Sequence, residues 1–286
     1  MSTLKIMITA SVLALSLPLR AQDANSLLYE VSGNDLEHPS YLFGIIHLMC
    51  PENIYLSDTL RKKLSSSEQL VLELDFDAPG MMQEMQQAMM QPTETPLREL
   101  MAEEEYTQLS QFFQDSLNIP EQILAQLNPI ALYGAVASKM LGCQPGSYEQ
   151  ALVAVAQEKQ IEVEGLETVD EQLEAFGSIS EKEQAAYLYD ALEDYEASAE
   201  EFGKMLSSYM KQDAELLYEL SHAAMAEFGE MEQHLLIDRN HAWVPTMETM
   251  MAEPTFFAVG AGHLGGEEGL LNLLEKAGYT VTAVAQ

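Results

Sequence analysis

Two copies of one short pattern, Gly44-Ile45-Ile46-His47 and Gly260-Ala261-Gly262-His263, each follow an apolar run that reads as a β-strand. Tyr41-Leu42-Phe43 precedes the first and Phe256-Phe257-Ala258-Val259 the second. With 16 Gly and 6 His in 286 residues, chance would supply roughly a third of one such G-x-x-H, so a pair in matching strand contexts exceeds expectation. A strand ending in glycine lets backbone or ligand come close, which makes Gly44 and Gly260 candidate cofactor-side positions. A histidine just beyond projects from the sheet edge, where metal ligation or acid–base work is available to it.

Two charged residues add to this pair. Glu73 falls inside the apolar run Leu70-Val71-Leu72-Glu73-Leu74, read here as mid-strand, so its carboxylate points to one sheet face. An unpaired buried charge costs several kcal/mol, and a metal ion, a histidine or an arginine would each serve as partner. Arg239 shares one helical face with Leu236, Trp243, Met247 and Met250, which aims its guanidinium inward beside the only tryptophan. The plainer reading of Arg239 is a side chain snorkelling to a surface acid.

The elements that must carry these residues follow from periodicity. Leu27–Gly33 and Ser40–His47 alternate around the turn signal Gly33-Asn34-Asp35 and read as an antiparallel hairpin whose second strand delivers His47. Ser57–Ser67 reads as a helix capped by Ser57 or Asp58, and Gln69–Asp75 as a strand. Residues 79–127 are expected to be helical and methionine-rich, with Met81, Met82, Met85 and Met89 at helical spacing; packing or a lid surface explains them better than copper(I) binding. Pro129–Leu141 and Tyr148–Gln160 read as helices, Ile161–Leu166 as a strand, and Ser180–Met251 as a long helical region with breaks at Gly203, Gly229 and Pro245. Thr255–Gly260, Leu264–Ala277 and Tyr279–Ala285 read as strand, helix, strand. Glu167 stands at a helix start, either as an ordinary N-terminal acid or as a group orienting a histidine.

Composition narrows the class. Residues 1–21 have Lys5, an apolar stretch and Pro18-Leu19-Arg20-Ala21, the pattern of a cleaved signal peptide, so an exported, periplasmic or extracellular protein without a stable membrane anchor is expected. No Pro/Ser/Gly-rich linker divides residues 22–286, which favours one domain. A net charge of −33 makes nucleic acid a poor partner. Cys50 and Cys143 are open to three readings: a disulfide, free thiols, or, for Cys50 beside His47, a metal ligand. Oligomeric state is not legible.

Together these pieces resemble the TraB/GumN family, relatives of the Tiki metalloproteases. The resemblance runs through Tyr41–His47, Leu70–Asp75, Gly165-Leu166-Glu167-Thr168 with Gln172-Leu173, Asp238-Arg239-Asn240 with Trp243, and Val259–Leu264. The family usually has Thr or Ser where this chain has Ile45, and an Asp near the position of Tyr148. The resemblance implies an α+β fold, a mixed sheet with an N-terminal hairpin, flanked and capped by many helices. It also implies one cleft holding His47, Glu73, Arg239 and His263. In a metal-dependent hydrolase of peptides or small molecules, His47, Glu73 and His263 would ligate Mn²⁺, Co²⁺ or Zn²⁺ and Arg239 would steady an oxyanion. Because the wider superfamily also includes erythromycin esterases and haem-binding proteins, a metal-free esterase and a non-catalytic haem or ligand binder are the alternatives.

Overall fold

A computed structural model describes residues 25–90, 92–226 and 228–286. The signal-like segment at 1–21 lies outside them. Six strands form one mixed sheet: β1 (Leu28–Gly33), β2 (Ser40–Ile45), β3 (Gln69–Leu72), β4 (Glu162–Gly165), β5 (Thr255–Gly260) and β6 (Tyr279–Ala283), in the order β4-β3-β5-β2-β1-β6. Helices fill the connections: α1 (Asp58–Ser65), α2 (Met81–Met89), α3 (Glu103–Leu117), α4 (Glu121–Leu124), α5 (Pro129–Leu141) and α6 (Tyr148–Lys159) before β4. After it come α7 (Val169–Gly177), α8 (Glu181–Glu193), α9 (Tyr195–Met210), α10 (Ala214–Met225), α11 (Asp238–Met250) and α12 (Leu270–Lys276). The fold is α+β.

The hairpin β1–β2 forms as its alternation predicts, with Leu28 opposite Phe43 and Val31 opposite Ser40. Its turn takes positive φ at Gly33, Asn34 and Asp35 (80°, 46° and 63°), the residue types that tolerate that region. β5 then inserts between β2 and β3. Parallel pairing continues across β2, β5, β3 and β4, with Ile45 beside Gly260, Val71 beside Phe257 and Leu72 beside Gly165. All four strands therefore end at the same edge of the sheet, the edge where open parallel sheets present ligand sites.

The strand runs are apolar because both faces are covered. Every residue of β2 and β5 is buried, and Leu42, Phe256, Phe257, Leu70 and Val71 lie in one core with Leu152 of α6 and Trp243 and Met247 of α11. A second apolar cluster, separate from the sheet core, is built from Leu109 and Phe113 of α3, Leu132 and Val136 of α5 and Leu188 of α8.

Several boundaries differ from the sequence reading. β3 stops at Leu72, so Glu73 is the first residue past the strand rather than its middle. α9 runs through Gly203 and α11 through Pro245; the break expected at Gly229 is present, and further breaks fall near Asp194 and Lys211–Asp213. A glycine costs a helix interior only about 1 kcal/mol, too little to end one that is otherwise packed. Pro245 is carried because its neighbours Trp243 and Met247 are anchored in the core. Of the methionines, Met81 is buried with Leu74 and Val169, while Met82 and Met89 on α2 and Met90 just after it are exposed.

Candidate functional site

The four strand ends deliver the site. His47 lies two residues past β2, Glu73 one past β3, Glu167 two past β4, and His263 closes the 3₁₀ turn that follows β5. The Nε2 atoms of His47 and His263 lie 3.7 and 4.0 Å from the same oxygen, Oε1 of Glu73. The two G-x-x-H histidines thus meet at one carboxylate.

Each imidazole is fixed from behind. Nδ1 of His263 is 2.7 Å from Oδ1 of Asn240, whose amide nitrogen donates to the carbonyl of Glu268 at 2.9 Å. That arrangement assigns the proton of His263 to Nδ1 and leaves Nε2 as a lone pair facing the cleft. The ring is 3% exposed and lies against Trp243, centroids 4.5 Å apart. Burial, with the charge of Arg239, holds its pKa down at about 3, so His263 is neutral. His47 is the open member, its side chain 56% exposed, and Nδ1 contacts Oε1 of Glu149 at 2.5 Å. Partial withdrawal from water works against charging this ring, but the Glu149 hydrogen bond and the Glu73 carboxylate outweigh it and push the pKa up to about 9. Solvent screens the more distant pull of Glu73, so the short contact to Glu149 sets the direction. Glu149 is buried at the start of α6 and also accepts from Ser147 Oγ at 2.6 Å.

Glu73 and Glu167 share Arg239. Nη2 of Arg239 donates to Glu73 Oε2 at 2.6 Å and to Glu167 Oε1 at 2.7 Å, and Nε donates to Glu167 Oε2 at 3.1 Å. Nη1 donates to the carbonyl of Leu235 at 2.9 Å and to Nε2 of His263 at 3.2 Å. All five guanidinium N–H groups are taken, and the guanidinium carbon lies 4.6 Å from the Trp243 ring centre. The Trp243 indole N–H donates to Glu167 Oε2 at 3.0 Å. Burial opposes ionisation of Glu73, but Arg239 first, then His47, His263 and the Gly260 N–H, hold its carboxyl well below the usual carboxylate range. Burial likewise works against the guanidinium charge, yet the two glutamates raise its pKa further. Glu167 touches no histidine: it is the counter-ion of Arg239, one residue ahead of the α7 cap Thr168.

The two glycines differ in their surroundings. A methyl group on Gly260 would sit 3.1 Å from His47 Nε2 and 3.3 Å from Glu73 Oε1, at the point where the site atoms converge. On Gly44 it would meet Leu264 at 2.6 Å and Ala261 at 3.2 Å, so Gly44 serves the close approach of β2 to the turn after β5. His38, His222 and His241 are exposed and His234 half-buried, and none joins the cleft.

Among the described residues, no group of three or more His, Cys, Asp or Glu side chains stands as a ready cage for a metal ion. The nearest approach is the set His47 Nε2, Glu73 Oε1 and His263 Nε2. Two donors bound to one ion at about 2.1 Å cannot be more than about 4.2 Å apart, and the 3.7 and 4.0 Å spacings fall inside that limit. The donor chemistry fits, with both imidazoles anchored at Nδ1 in the manner of ligating histidines. The obstacle is Arg239 Nη1, which occupies the His263 lone pair.

Glu149 and Ser147 were not singled out in the sequence, and Asn240 stood only within Asp238-Arg239-Asn240, without a role. Glu149 follows the position where the resembled family has an acid, and its only local signal is that of a helix N-terminal acid. Cys50 and Cys143 form a disulfide, Cα atoms 5.9 Å apart, which settles the three readings of these residues. Beside Glu167 lies a cavity of about 400 Å³ with Leu74, Met81 and Val169 in its wall and Asp75, Glu84 and Glu164 among its polar groups; no Lys, Arg or His lines it.

Neither a search of curated proteins nor one of solved structures found a match to this chain. The model of the TraB/PrgY/gumN family matches residues 27–283, nearly the whole chain and every residue of the cleft just described. The chain belongs to the TraB/PrgY/gumN family.

Proposed function

We propose that the protein is an exported, metal-dependent hydrolase whose substrate is a peptide or a small amide or ester. One observation carries this reading: two imidazoles, each anchored through Nδ1, direct Nε2 at a single buried carboxylate oxygen beside a guanidinium. His47 Nε2, Glu73 Oε1 and His263 Nε2 would hold a divalent ion, Mn²⁺, Co²⁺ or Zn²⁺. A bound ion would supply a Lewis acid and a water of lowered pKa. The remaining roles belong to the chain. Asn240 fixes the tautomer of His263, and Glu149 orients the His47 ring through Nδ1. When His263 gives its lone pair to another partner, Arg239 loses the longest of its five hydrogen bonds, the one from Nη1, and a substrate carbonyl oxygen is the replacement acceptor. The acidic cavity beside Glu167 favours neutral or cationic substrate groups over anionic ones. Export is supported by the disulfide, and no helix among the described residues is long and apolar enough to cross a membrane.

A metal-free hydrolase is the second reading, favoured by the Arg239–His263 bond and by a His47 ring held protonated, as a general acid is. A haem-binding role would fall to His47 alone, since Trp243 covers His263. The test is metal analysis of protein purified without chelator, followed by hydrolysis of a mixed peptide and ester panel with and without a chelator. About one ion per chain and loss of turnover on chelation are expected. Turnover that survives chelation in ion-free protein would replace the metal reading with the metal-free one.

A further inference from the structure

The disulfide stands close to the half of the site that is least buried. Cys50 follows His47 by three residues, and Cys143 precedes Ser147 and Glu149 in the loop between α5 and α6. Between them, Met49 and Gly146 form an isolated antiparallel bridge, with Met49 N donating to Gly146 O at 3.2 Å and Gly146 N to Met49 O at 2.7 Å. The segment bearing His47 and the segment bearing Glu149 are therefore joined three times within a few residues: by the disulfide, by the backbone bridge and by the imidazole–carboxylate contact. His263 is fixed differently, by Asn240 of α11 and by burial under Trp243, with no part in this clamp.

We propose that the Cys50–Cys143 disulfide is the positioning element of the His47–Glu149 pair, and that a dithiol reductant disables this half of the site while leaving the rest of the fold in place. The inference rests on the site reading above for its functional meaning, but not for its geometry. In the exchange, a thiolate of the dithiol attacks one sulfur of the disulfide and the second thiolate closes a ring. Two electrons and two protons pass to the protein, giving Cys50–SH and Cys143–SH, and the reductant leaves as its cyclic disulfide. Both half-cystines are partly exposed, which gives such a reagent access. Without the link, the loop after β2 and the start of α6 are still tied by the Met49–Gly146 bridge, by Tyr55 N donating to Tyr148 Oη at 3.2 Å and by the packing of Gly146 against Pro51 and Ile54. The His47–Glu149 contact, whose imidazole is more than half open to water, is therefore the tie left most free to open. A contact with one partner in water can open locally while its buried partner, Glu149, stays in place.

The experiment reads the two imidazoles separately. Protein labelled at histidine nitrogen is followed by NMR in its oxidised form, after dithiol reduction, and after reoxidation, with far-UV circular dichroism recorded on each. In reduced protein that keeps its helical signal, the Nδ1 proton of His47 should exchange with water at least about tenfold faster, while that of His263, bonded to Asn240, stays as it was. Reoxidation should restore the first. Where the reduced chain loses its fold, the cysteines are re-bridged with a short dibromoalkane. That link retains the crosslink's effect on the unfolded chain but lengthens its span, and the same selective loss at His47 is required. Unchanged exchange at His47 in folded, reduced or re-bridged protein overturns the proposal, as does equal loss at both histidines, which would mark general loosening. Neither readout needs turnover, so a protein that hydrolyses nothing still decides the question.

Discussion

His47 and Glu73 face each other across the ends of β2 and β3, Nε2 to Oε1 at 3.7 Å, although β5 lies between their strands. The gap is bridged at the one place where β5 presents no side chain, Gly260, whose N–H donates to Glu73 Oε1 at 2.7 Å. Any side chain there would stand between the two groups.

This geometry separates the two glycines by experiment. Gly260→Ala places a methyl 3.1 Å from His47 Nε2 on a backbone with φ of −50°, which alanine accepts. Ion uptake and turnover should fall at least about tenfold while stability changes by less than about 1 kcal/mol. Gly44→Ala should do the reverse, because its methyl overlaps Leu264; a loss of about 1–3 kcal/mol is expected from packing strain. Urea unfolding together with calorimetric titration of Co²⁺ tests the pair, and equal stability losses in both variants would contradict the assignment.

Glu149 makes His47 a pH-dependent source of stability. The ring titrates near 6.5 when unfolded and at about 9 when folded. Its contribution is therefore complete below pH 6.5 and is lost as pH rises through 9. With the side chain 56% exposed, screening reduces the contribution to about 1 kcal/mol. The melting temperature of the wild type should fall by a few degrees more between pH 6.5 and 9.5 than that of Glu149→Gln. Parallel melting profiles would show that Glu149 does not hold the charge.

An ion at His47 competes with the same proton. Between pH 9 and 6.5 its apparent affinity should weaken by about tenfold per unit of pH, with about one proton released per ion bound. Titration calorimetry in buffers of different ionisation heat measures both quantities. A flat profile would remove His47 from the ligand set.

Arg239 neutralises two carboxylates whose side chains are only 8% and 6% exposed. Arg239→Ala leaves both without their partner and should cost about 3–5 kcal/mol in denaturant unfolding, partly recovered by adding Glu167→Gln. Arg239→Lys keeps the charge but not the fork that spans Glu73, Glu167 and His263, so turnover should fall on the order of a hundredfold with a smaller stability loss. If Arg239→Lys matches the wild type in both, the network has been given too large a role.

The sequence was most readable where local rules and tertiary demands coincide. β5 ends at Gly260 and α5 begins at Pro129 and stops at Gly142, as their residue types dictate, because each boundary residue has one local conformational role. His47, Glu73, Arg239, His263 and Glu167 were found through the pairing of patterns and the oddity of charges on apolar faces. The roles of Glu149 and Asn240 were not, since they exist only across tertiary contacts: an acid at a helix start is ordinary until a histidine from another element rests on it. The end of β3 differs for the same cause: the apolar run continues past Leu72, and Glu167 N still donates to Glu73 O at 3.0 Å, but the regular register ends at the Leu72–Gly165 pair.

β5 sits third in the sheet, between β3 and β2, yet it is built from residues 255–260, so the ladder cannot close until more than 180 residues after β3 have been made. Until then β2 and β3 each present an open, apolar edge with no strand to fill it, an arrangement prone to pairing with other chains. The late strand also brings Gly260 and His263, which means that sheet closure and assembly of the cleft are one event. A chain cut short before β5 would lose His263, two strands and protection against aggregation together, so truncation there takes the cleft and the closed sheet in one stroke.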